Sequence, residues 1–182
     1  MAIALLSGTL LAIAGFLLTS VQGFVVAASG HADRFLVTRH VAYAIPTVLL
    51  SLFSQSMVLF FFIGTGRLVK DETRALPDAD RNAVLRALSG FKRRTSPPAT
   101  FALLSAIGVF VLGGAVHTRA LPSWTHLAAS LTAVAIHLWA LAAEWVAFIE
   151  NGKLMADPAA YVRGGRPGAI SARGPSSSPP PR

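Results

Sequence analysis

Apolar residues fill four long blocks of the chain, separated by short polar or basic stretches. The first block, 2–28, holds no charged residue; the others cover about 40–63, 100–117 and 124–148, and Glu144 is the one acid in the last. A helix rises about 1.5 Å per residue, so roughly 20 predominantly apolar residues cross a hydrocarbon core of about 30 Å. Three blocks exceed that length and the third sits at its lower limit. Helices of a soluble bundle each keep a polar face, and these blocks show almost none. The pattern predicts an all-α, integral-membrane four-helix bundle, with residues 1–157 forming a single transmembrane domain.

Composition agrees with that reading and narrows it. Of 182 residues, 53% are hydrophobic and 13% charged, against about 25% charged in an ordinary soluble domain. A soluble enzyme and a disulfide scaffold are excluded. The chain has no cysteine, so thiolate metal sites and iron–sulfur clusters are excluded too. The net charge of +8 comes from 16 Lys+Arg against 8 Asp+Glu. It does not point to nucleic acid, because the basic residues lie between the apolar blocks. Eight of them, from Arg67 to Arg94, fall in the connection 67–99, and five in the tail after the fourth block. The connections on the opposite side hold only Arg34, Arg39 and Arg119. Basic residues favour the cytoplasmic side, so both termini are expected there, in a multi-pass protein of a bacterial-type cytoplasmic membrane. The expected partners are the lipid bilayer and other membrane subunits.

Val26-Ala27-Ala28 offers a passable signal-peptide cleavage site. The stretch before it lacks a basic n-region, and its apolar run is about twice a typical h-region. It is expected to remain as a span; cleavage would leave three spans in the same orientation. Within the connection, Asp78 to Phe91 reads as a short amphipathic helix with Asp78 and Asp80 at its positive end. Val84, Leu88 and Phe91 form its apolar stripe, and Lys92-Arg93-Arg94 follows. Such a helix is expected to lie on the anionic leaflet, ending at Pro97-Pro98. The tail 158–182, rich in Pro, Gly and Ser, is expected to be disordered.

Polar groups inside spans are costly and therefore informative. Small residues of span one, Ala4, Gly8, Ala12, Gly15, Thr19 and Gly23, recur at packing intervals. On span two, His40, Thr47, Ser51 and Ser54 share a face flanked by Tyr43 and Gln55, and Pro46 removes a backbone donor. Gly64-Thr65-Gly66 lacks the lysine of a phosphate loop. On span four, His126, Ser130, His137 and Glu144 lie within about 40° of one line. The two lines are expected to face each other, with His117 and Gly113-Gly114 on span three nearby.

Bundle cores hold cofactors between facing helices, and haem iron takes imidazole ligands. His40 and His126, at matching depth, are the candidate ligands of a b-type haem, with His117 as a substitute and His137 as a further candidate. Phe53, Phe60, Phe61, Phe62, Trp139 and Trp145 are available to flank a porphyrin. A second chemical reading gathers His31, His40, His117 and His126 around copper or zinc. Glu144, with Ser51 and Gln55, is the candidate for proton uptake or quinone binding. No nucleophile elbow, His-Glu-x-x-His pair or nucleotide loop occurs. The expected function is therefore a non-enzymatic electron-transfer subunit, haem-bearing and quinone-linked. The alternatives are a cofactor-free structural or assembly subunit and a small oligomeric transporter using Glu144 and His137. In helix count and intramembrane histidines the chain resembles the small haem-bearing anchor subunits of respiratory complexes, such as those of succinate dehydrogenases; no residue motif carries over.

Overall fold

The computed structural model describes residues 2–29 and 33–164, which are almost wholly helical and contain no strand. The elements are α1 (Ala2–Ala28), α2 (Arg34–Glu72), a single 3₁₀ turn (Thr73–Ala75), α3 (Asp78–His117), α4 (Ser123–Ala156) and α5 (Pro158–Gly164). Helices α1 to α4 are each long and apolar enough to cross a membrane. The chain is an all-helical, multi-pass membrane protein by length and composition.

Local chemistry sets the helix boundaries. Asp33 caps α2, its carboxylate accepting from the backbone N–H groups of Phe35 (2.8 Å) and Leu36 (3.3 Å). Arg119, at φ 61°, turns the chain between α3 and α4. Pro46 sits inside α2. It leaves the Ala42 carbonyl without its usual intrahelical donor.

Around the bundle, α1 packs on α2 and α4, and α3 packs on the same two helices from the other side. Helices α2 and α4 face each other across the diagonal. The α1 glycines are what bring α2 close. A Cβ placed at Gly15 would come within 2.6 Å of Thr47 Oγ1, and one at Gly8 within 2.8 Å of Ser54 Oγ. The small-residue stripe of α1 therefore receives the polar side chains of α2.

Helices α2 and α3 run for 39 and 40 residues, about 60 Å each, twice the thickness of a hydrocarbon core. Both overshoot at the end that carries the basic connection. There the structure corrects two expectations. The segment 78–91 is not a separate surface helix: it is the first part of α3, which continues through Pro97 and Pro98 into the third span. Its stripe of Val84, Leu88 and Phe91 finds protein partners in Val69 of α2, Leu154 of α4 and Val162 of α5. Burial against three helices replaces burial in a leaflet, which is why the segment stands with the bundle. The second correction concerns residues 158–164. They form α5, with Val162 in the core and the Tyr161 hydroxyl donating to Glu150 at 3.2 Å. The rest of the tail, 165–182, lies outside the described residues.

Candidate functional site

The polar residues of the bundle interior fall into three layers along α4, set by His126, His137 and Glu144. Eleven and then seven positions separate them, or about 16 and 10 Å of helix rise.

The first layer lies at the end of the bundle remote from the basic connection. His40 of α2 and His126 of α4 meet there across the diagonal, their ring centroids 6.0 Å apart and their planes at 83°. Each ring is half-buried and set against a glycine of a neighbouring helix. A Cβ at Gly23 of α1 would lie 3.3 Å from His40 Cε1, and one at Gly113 of α3 would lie 3.1 Å from His126 Cε1. All four helices thus contribute one residue to this layer. Each ring lies beside a backbone carbonyl, Thr19 for His40 and Val109 for His126. Yet neither buried Nδ1 reaches a partner at hydrogen-bonding distance. Ser20 Oγ and Gln22 Oε1 are buried and unpartnered at the same end of α1.

The second layer is fully satisfied. His137 is completely buried, its Nδ1 lying 2.7 Å from the Ala133 carbonyl and its Nε2 2.6 Å from Ser51 Oγ. A carbonyl only accepts, so Nδ1 carries the proton and Nε2 accepts from the Ser51 hydroxyl. Phe16 packs on the ring with centroids 4.7 Å apart.

The third layer is nearest the basic end. The Thr9 hydroxyl donates to Glu144 Oε2 at 2.9 Å, and the Gln55 amide donates to Thr9 Oγ1 at 3.1 Å. Ser54 Oγ is 3.3 Å from Thr9 Oγ1. The single Thr9 hydrogen is engaged by Glu144, so Ser54 is the donor there. Thr9, Gln55 and Glu144 are all completely buried. Glu144 Oε1 and Gln55 Oε1 have no partner.

The structure therefore brings together His40 with His126, Ser51 with His137, and Gln55 with Glu144. It separates Ser51 from the Glu144 group with which the sequence analysis placed it. His117 ends α3 with its side chain exposed. His31 lies outside the described residues. Among the described residues no three His, Asp or Glu side chains gather as a metal site. Thr9, the centre of the third layer, was missed; the available signal was a polar residue between Gly8 and Ala12 in the packing stripe. Gly23 was noted only as a small residue, although it and Gly113 complete the first layer. No family model, curated protein or solved structure matches this chain.

Proposed function

We propose that this protein is a small, non-enzymatic electron-transfer subunit of a membrane complex, holding a b-type haem through His40 and His126. The observation that carries the reading is the meeting of these two imidazoles across the bundle diagonal, flanked by Gly23 and Gly113. Two features fit the group. The glycines let both rings seat closely against α1 and α3, which fixes their positions across the diagonal. Each ring also keeps a buried Nδ1 without a partner at hydrogen-bonding distance. A haem held there supplies one-electron transfer. The protein's part is to orient two neutral imidazoles from opposite helices and to keep water from them.

His137 is not proposed as a ligand, because both its nitrogens are engaged. The second and third layers fix helix register by hydrogen bonds between α1, α2 and α4. The uneven placement of basic residues favours an orientation with both termini in the cytoplasm, and reporter fusions at Arg182 and in the 118–122 loop test it. For the haem, the test is the absorption spectrum of protein purified from haem-replete cells, oxidised and dithionite-reduced. A Soret band that His40→Ala or His126→Ala removes is the expected result. Wild-type protein without that band overturns the reading and leaves a structural subunit.

A further inference from the structure

The basic end carries a cavity of about 480 Å³ lined by Arg67, Lys70, Asp71, Arg74, Arg81 and Leu85. Arg67, Lys70 and Arg74 recur at positions i, i+3 and i+7, which share one face of a helix, and the last of them falls on the 3₁₀ turn that follows α2. Arg81 and Leu85 form the opposite wall from α3. The packing of Val69 against Val84 and Leu88 sets the two walls at this spacing. Asp71 is taken up by Arg74 at 2.8 Å. Among the described residues the other ion pair is Lys153 with Glu150, so Arg67, Lys70 and Arg81 have no ion-pair partner there. These three exposed cations leave the concavity net positive, a surface that attracts anions.

The cavity is larger than a lone inorganic anion needs and lies within the usual range for small-ligand sites, about 300–1,000 Å³. Its position selects the anion. Arg67 follows the last apolar residue of the second span, Ile63, by one helical turn. Gly66, beside it, faces the Lys92 side chain, a Cβ there lying 3.5 Å from Cε. The near wall of the cavity therefore begins one helical turn past the span, where headgroups are expected, with the Lys92 side chain close by. Guanidinium groups bind phosphate oxygens in paired, charge-assisted hydrogen bonds. We propose that this cavity binds a phosphate ester, presented by the headgroup of an anionic phospholipid. The site is independent of whether the histidine layer holds haem.

The full-length protein, delipidated in a neutral detergent, is titrated by microscale thermophoresis with short-chain phosphatidylglycerol, short-chain phosphatidylcholine and glycerol 3-phosphate. Phosphatidylglycerol should bind about tenfold or more tighter than phosphatidylcholine, and Arg67→Gln/Arg81→Gln should weaken it by about tenfold or more. Lys70→Gln alone removes one charge of the three, should weaken it less, and gives the readout if the double variant fails to fold. Glycerol 3-phosphate binding as tightly as phosphatidylglycerol, with the same sensitivity to the variants, supports the phosphate site and makes the source a soluble ester. Equal binding of both lipids, or variants that bind phosphatidylglycerol as wild type does, overturns the proposal.

Discussion

Two histidine layers of one bundle, about 16 Å apart along α4, are built on opposite terms. At the middle layer every polar atom has a partner: Ala133 and Ser51 hold the His137 ring and Phe16 covers it. At the outer layer two rings meet nearly at right angles while a buried nitrogen on each goes without. In hydrocarbon an unsatisfied polar group costs several kcal/mol. A histidine that only fixes register should therefore look like His137. That contrast is the observation on which the proposed haem site rests.

That contrast can be broken by substitution. The largest expected effect is spectroscopic: His40→Ala or His126→Ala abolishes the Soret band while helix content by circular dichroism stays unchanged, and His137→Ala leaves the band in place. His137→Ala should instead destabilise, by about 2–3 kcal/mol in an SDS unfolding titration, through lost packing and a stranded Ser51 hydroxyl. A His137 variant that loses the spectrum while staying folded would erase the distinction between the layers. Gly15→Val drives a side chain into Thr47, and should cost about 1–3 kcal/mol; Thr47→Ala in the same chain should recover part of it. Ser51→Ala removes one interhelical bond and strands the buried His137 Nε2, and should cost about 1–2 kcal/mol. The smallest effect belongs to Glu144→Gln, which keeps an oxygen for Thr9 to donate to and should change unfolding by less than about 1 kcal/mol.

Much of this was legible because the period of a helix is fixed. Four apolar runs located the spans, and the offset of polar residues along α2 and α4 anticipated that His40 and His126 share a level. Other features depend on neighbours that no local pattern names. Pro97-Pro98 reads as a stop, since each proline removes a backbone donor. The helix nonetheless continues, because Phe91 and Thr95 before the break and Ala99 and Ala102 after it are packed in the bundle. The stripe of 84–91 says that something apolar covers it, but not whether lipid, a partner or Val69 and Leu154 does so. Tail composition, averaged over 158–182, hid the seven residues of α5. Thr9 escaped notice because its role depends on Glu144, 135 positions away.

The continuity of α3 has a mechanical consequence. From Leu85 in the basic cavity to Gly113 beside His126 the chain forms one rod of about 42 Å. A rigid rod of that length converts a tilt of about 2° at one end into a displacement of about 1.5 Å at the other. Two missing backbone hydrogen bonds at Pro97-Pro98 put the rod's softest point between the two sites. A tilt imposed at the basic end would be taken up there as bending before it reached the glycine beside the histidine ring.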